Sequence, residues 1–142
     1  EMLRSLVGSE MCIRDRPETA RALAQLGAEL IIVTNGNMDP YGPVHRTAIM
    51  ARAQENQLFA VMVNRVGEGD DGLVFAGGSA AIDPFGQVQW EAGREACQQR
   101  VSLDLHQLKA SRRDYHYLSD RRLPLPGEQV EHPDGRRELL IP

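Results

Sequence analysis

Twice in its first half the chain runs from a proline-opened helical stretch straight into a short apolar run. The first instance is PETARALAQLGAELIIVTN. Pro17 suits the first helical position, where its missing N–H is not needed, and Glu18 favours the positive end of the helix dipole. Ala20, Leu23, Ala24 and Gly27 recur at helical spacing, and Gly27 is a natural stop. The pattern predicts a helix over 17–26 and a buried strand over 28–35. The second instance, PVHRTAIMARAQENQLFAVMVNRV, repeats the order. It predicts a helix over 43–57, with Val44, Ala48, Met50, Ala51 and Ala53 turned inward, and a strand over 58–66. The second strand is continuously apolar, so it needs cover on both faces. Helices alternating with buried strands predict a layered α/β fold.

Further along, GEGDDG reads as a surface loop. GGSAAIDPFGQVQWEAG reads as two strands around a turn at Asp83-Pro84-Phe85-Gly86. Proline presets one turn dihedral there and glycine relieves another. QQRVSLDL, 98–105, predicts another strand, and HQLKASRRDYHYLSDRR, 106–122, a helix. The tail allows a small hairpin, QVEH against RREL, around Pro133-Asp134-Gly135. At the start of the chain, EMLRSLVGSEM shows no clear buried-strand pattern.

Composition narrows the function classes. A net charge of -4 argues against a nucleic-acid surface, and Arg112, Arg113, Arg121 and Arg122 are interrupted by Asp114 and Asp120. No apolar run approaches the roughly 20 residues that a membrane helix needs. Two cysteines, Cys12 and Cys97, and four histidines lack metal-ligand spacing, so no metal is expected. Cys97 has no adjacent base and reads as a silent thiol. Free thiols fit a cytoplasmic location. No glycine run has the phosphate-loop pattern. The loop NGNMDPYGP follows the carboxyl end of a buried strand, where α/β proteins often place ligand sites. Asn35, Gly36 and Asn37 are therefore candidate pocket residues, against the plainer reading of an Asn-Gly turn.

Four segments in order resemble the nitrilase superfamily of carbon–nitrogen hydrolases. They are PETARALAQLGAELIIV, RTAIMARAQENQLFAVMVNRVG, FAGGSAAIDPFGQVQWEAG and DYHYLSDRR. The resemblance implies an α-β-β-α sandwich, of which this chain would be about half, the carboxyl-terminal part. It also implies hydrolysis of a small non-peptide amide or nitrile without a cofactor, in a homo-oligomer, with NMDPYGPV and ENQLFAVMVNR leaning toward amidases. On it, residues 17–122 belong to the hydrolase domain and 123–142 form an extension. Asn35, Gly36 and Asn37 would line the substrate pocket. Glu55 and Asn56 would be buried polar groups bracing the site, and Gly77 and Ser79 small residues that let layers approach closely.

The family's chemistry uses a cysteine nucleophile, a glutamate base and a lysine that stabilises the oxyanion. The glutamate and lysine lie well upstream of the cysteine in the family. Here Glu1 and Glu10 sit too close to Cys12, and the single lysine, Lys109, comes late. The chain as given is therefore expected to be inactive. The family pattern C-Y-D-x-R-F-P-E has seven steps from cysteine to glutamate, whereas CIRDRPE has six, from Cys12 to Glu18. Two readings of Cys12 stay open. It is a nucleophile in a loop shortened by one residue, or it belongs to a non-native read-end segment covering 1–16. A further reading, from another class, is a non-catalytic α/β module that associates through an exposed sheet face.

Overall fold

The computed structural model describes the backbone of residues 5–8 and, with side chains, residues 16–70, 72–122 and 127–140. Strand β1 (Ser5–Gly8) precedes helix α1 (Pro17–Gln25), strand β2 (Leu30–Asn35), helix α2 (Gly42–Asn56) and strand β3 (Phe59–Asn64). Strands β4 (Val66–Glu68), β5 (Val74–Ala76), β6 (Ala80–Ile82) and β7 (Val88–Glu91) follow. Helix α3 (His106–Asp114) and strands β8 (Glu128–Glu131) and β9 (Arg137–Leu140) complete the order.

The main sheet has the order β1-β2-β3-β6-β7. β1, β2 and β3 run parallel, and β6 and β7 turn back antiparallel around the Asp83–Gly86 turn. The two α-to-β units therefore form as their sequence pattern requires. Gly27, at φ 92, ends α1 by letting Ala28 N–H reach back to the Leu23 carbonyl at 3.0 Å. On one sheet face Ile31, Val33, Ala60, Met62 and Ile82 pack against Ala20 and Ala24 of α1 and Ile49 and Ala53 of α2. On the other face Leu30 and Phe59 meet Leu108 of α3, with Ile32, Val61, Leu103 and Leu105 beside them. Among the described residues that second cover reaches only one end of the sheet. Toward the carboxyl ends of the strands Thr34 is exposed and Val63 is 47% exposed.

Some expectations are corrected. Val44, expected on the inward face of α2, is 63% exposed, and Ile49 fills the core instead. Ser5–Gly8 forms a strand, paired with β2 from Ser5↔Leu30 to Gly8↔Val33. A four-residue edge strand is held by backbone pairing and is too short to show a side-chain period. Residues 98–105 form no strand. Val101, Leu103 and Leu105 still alternate with exposed neighbours, so an extended chain uses its period-two pattern to cover the sheet without joining a ladder. The last helix stops at Asp114, because Tyr115 is extended and the chain turns again at 117–119. The tail hairpin forms with Gln129↔Leu139 and Glu131↔Arg137 opposite one another.

Candidate active site

Strands β2 and β3 end together, with Asn35 opposite Asn64. Both side chains point to the helix-covered face, and both are buried. A buried carboxamide must find partners, and Asn64 finds three. Its Oδ1 accepts the Asn37 N–H at 2.7 Å, and its Nδ2 donates to the carbonyls of Gly77 at 2.7 Å and Asn37 at 3.1 Å. The Asn64 N–H donates to Ser79 Oγ at 2.9 Å, which extends the β3 pairing past its last regular partner. The Asn37 carboxamide points back to Met62, with Nδ2 3.9 Å from Sδ. One asparagine thus locks the loop after β2, the glycine turn before β6 and the end of β3 into a single frame.

Gly77 has to be glycine in this frame. Its φ is +63, and a Cβ there would sit 2.6 Å from the Gly93 carbonyl oxygen. Gly77 lies against the Gly93 backbone, and Ser79 touches Asn64.

Two clefts flank the frame. One of about 240 Å³ is lined by Asn37, Met62, Asn64, Gly77 and Gly78, and its rim carries two ion pairs. Arg94 holds Asp39 in a two-pronged contact at 2.7 and 2.9 Å, and Arg46 meets Glu91 at 2.8 Å. The hydrogen bond from Arg94 holds the Asp39 carboxyl below its ordinary value. These pairs are solvent-exposed and screened, so they fix the loop's place more than they stabilise the fold.

The other cleft, about 420 Å³, opens on the less covered sheet face and is lined by Thr34, Asn35, Gly36, Val63, Asn64 and Arg65. Arg65 stacks its guanidinium 4.0 Å above the Phe75 ring. Because β1 is parallel to β2, the chain leaves Gly8 at this same end of the sheet. Cys12, the candidate nucleophile, lies outside the described residues. Among the described residues lining this cleft there is no thiol, imidazole or carboxylate. The described part of the cleft can bind and orient a small polar molecule through backbone groups and the Thr34 hydroxyl.

Glu55 and Asn56 sit elsewhere, at the end of α2 that leads into the start of β3. Glu55 pairs with Arg52 at 3.2 Å and Arg21 at 3.7 Å. Buried Asn56 donates to the Arg52 carbonyl at 2.9 Å. They tie the helix layer together and stand a strand length from Asn64. Among the described residues no group of three or more His, Cys, Asp or Glu converges as a metal site, and no helix is long and apolar enough to cross a membrane. Cys97 is exposed. Sequence reading missed Asn64, Asp39, Arg65 and Arg94. Asn64 had a local signal, since it is a polar residue closing an apolar strand as Asn35 does. The ion pairs had none.

Comparison with known proteins gives the frame a context. The family described as carbon-nitrogen hydrolase matches residues 3–113. An (R)-stereoselective amidase from Pseudomonas sp is 82% identical over 125 residues, covering 88% of this chain and 46% of its own length. A mutant of the amidase from Nesterenkonia sp. AN1, solved in complex with butyramide, is 32% identical, with a TM-score of 0.69. That match covers 83% of this chain and 41% of the amidase chain. A superfamily member from Xanthomonas campestris, with an arsenic adduct in its active site, aligns with a TM-score of 0.78 at 25% identity. That match covers 87% of this chain and 48% of the solved one. The chain spans less than half the length of each of these proteins.

Proposed function

This chain belongs to the carbon–nitrogen hydrolase family, and we propose that it is the carboxyl-terminal part of an amidase acting on a small non-peptide amide. Its α/β architecture is the part of the nitrilase-type sandwich that such neighbours share with it. In this reading a cysteine thiolate attacks the amide carbonyl, and the family's lysine offsets the charge on the oxyanion. The amine leaves with a proton from the family's glutamate, and water then frees the acid from the thioester. Cys12 is the chain's candidate for that nucleophile. The order along the chain, β1 then Cys12 then α1, supports it.

The observation that carries the reading is the cleft at the carboxyl ends of β2 and β3. Asn35 and Gly36 border it, and Asn37, which lines the neighbouring cleft, is pinned by Asn64 on the same loop, at the end of the sheet where β1 delivers the chain toward Cys12. A net charge of -4 supports a small-molecule substrate rather than a nucleic acid. We place the parent enzyme in the cytoplasm as a homo-oligomer without a cofactor.

The chain as given is inactive in this reading, because no glutamate and lysine stand in the family's order before Cys12. Butyramide incubated with the purified chain is expected to release no ammonia above buffer. Joining it to the amino-terminal part of the Pseudomonas amidase is expected to restore release. Turnover by the chain alone would overturn the inactivity, and a folded but inert fusion would overturn the hydrolase reading.

A second reading is self-association through the open sheet face. It is favoured by Val63 at 47% exposure beside half-buried Ile32 and Val61. Light scattering tests it. A monomer at all concentrations removes this reading, and loss of association in Val63→Glu supports it.

A further inference from the structure

We infer that the crevice between α1, α2 and the segment 115–122 is an oxyanion site, in which Arg21 and Arg121 hold a carboxylate or phosphate group. This site lies on the helix layer, away from the cleft at the strand ends, and does not rest on the hydrolase reading.

The crevice has a volume of about 490 Å³, and Arg21, Gln54, Glu55, Tyr117 and Arg121 are among its lining residues. That is room for a small metabolite or a side chain. Counting Arg52 behind Glu55, three guanidiniums stand against the two carboxylates of Glu55 and Asp120. Glu55 is already shared between Arg21, at 3.7 Å, and Arg52, at 3.2 Å. Arg52 is itself buried, and its Nη1 has no hydrogen-bond partner among the described residues. Arg121 adds a third guanidinium and, among the described residues, donates to neutral acceptors, the Leu118 carbonyl at 2.7 Å and Gln25 Oε1 at 3.4 Å. Asp120 also lines the crevice, but it is exposed and forms no ion pair with either arginine among the described residues. Burial and the facing Arg21 charge both push the Arg121 guanidinium below its ordinary value. Two guanidiniums brought together in a partly dry crevice repel unless an anion sits between them, and their forked donors match the two oxygens of a carboxylate or phosphate.

The anion has two possible sources, a free small molecule or an acidic side chain of a second copy of this chain. Calorimetric titration with succinate and with inorganic phosphate, at constant ionic strength, tests the first. Sedimentation at several protein concentrations tests the second. Arg121→Gln is expected to weaken anion binding about tenfold, the loss of one charge-assisted contact. Arg122→Gln, an equal charge change on the exposed neighbouring residue outside the lining, is expected to leave binding within about twofold of the parent. If neither anion binds and the chain self-associates, loss of association in Arg121→Gln but not in Arg122→Gln assigns the anion to a second copy. Circular dichroism checks that the variants fold. If Arg121→Gln does not fold, Arg121→Lys keeps the charge and loses the fork, and severalfold weaker binding or association is expected. The inference is overturned if variants at 121 match the parent and Arg122→Gln in both experiments.

Discussion

Asn64 and Asn37, 27 residues apart, hold each other twice. The Asn37 N–H donates to Asn64 Oδ1 at 2.7 Å, and Asn64 Nδ2 returns a hydrogen bond to the Asn37 carbonyl at 3.1 Å. This exchange sets the path of the loop after β2, and the remaining Asn64 proton extends the hold to Gly77. The candidate pocket is therefore built on a buried side chain rather than on the loop residues that border it.

Asn64→Asp should show how much rests on that amide. The carboxylate keeps the acceptor for Asn37 N–H and loses both donors, so it faces two carbonyl oxygens in a buried position. A loss of roughly 2–4 kcal/mol is expected, from two broken hydrogen bonds and an uncompensated charge. Urea unfolding measures it, and a variant as stable as the parent would remove Asn64 from its central place.

The two glycines of the turn should behave differently. Gly77 and Gly78 both have positive φ, +63 and +68, but a Cβ meets the Gly93 carbonyl at 2.6 Å only at Gly77. Gly78→Ala is expected to cost about 1 kcal/mol, the backbone term alone. Gly77→Ala adds a steric clash and is expected to cost about 2–4 kcal/mol. Equal losses in thermal melts would contradict the close approach of Gly77 to Gly93.

Gln57 ends α2 in the left-handed region, at φ 50, a conformation that ordinarily favours glycine. Its side chain explains its presence: Nε2 donates to the carbonyls of Ser111 and Tyr115, where α3 ends. Gln57→Gly relieves the backbone and loses these bonds, whereas Gln57→Ala loses the bonds and keeps the strain. Both should destabilise, Ala by about 1 kcal/mol more than Gly. Amide exchange should rise first in α3, and a more stable Gln57→Gly would mean the caps contribute little.

The Asp39–Arg94 pair makes a pH prediction. The Asp39 carboxyl is held below its ordinary value by the Arg94 hydrogen bond, so the pair's contribution is complete above that ordinary value. It is lost as pH falls through the lowered one. In Arg94→Gln, an NMR titration of Asp39 should move up toward an ordinary carboxylate. An unmoved titration would mean the contact is not formed in solution. Both groups are exposed, so overall stability should change little.

The segments legible in the sequence were those whose signal is local. Helices α1 and α2 declare themselves by proline starts and apolar spacing, and β2 and β3 by β-branched runs, because periodicity needs only neighbouring residues. The turn at Asp83–Gly86 was legible for the same reason. Strand β1 was not, since its four residues are defined by pairing with Leu30–Val33. Residues 98–105 carried a strand pattern but had no place in a ladder.

The candidate site divides along the same line. Sequence alone determined the order α1-β2-α2-β3, and it placed Asn35, Gly36 and Asn37 at the end of a buried strand. Tertiary structure alone decided what holds them. Asn64 reaches Asn37 and Gly77 only after β2 and β3 pair in register, with Asn35 opposite Asn64. Arg94 reaches Asp39, and Arg121 comes to line one crevice with Arg21, only when distant segments fold back. A buried amide or a guanidinium takes whichever partner the packing brings within about 3 Å, and spacing along the chain carries no record of that distance.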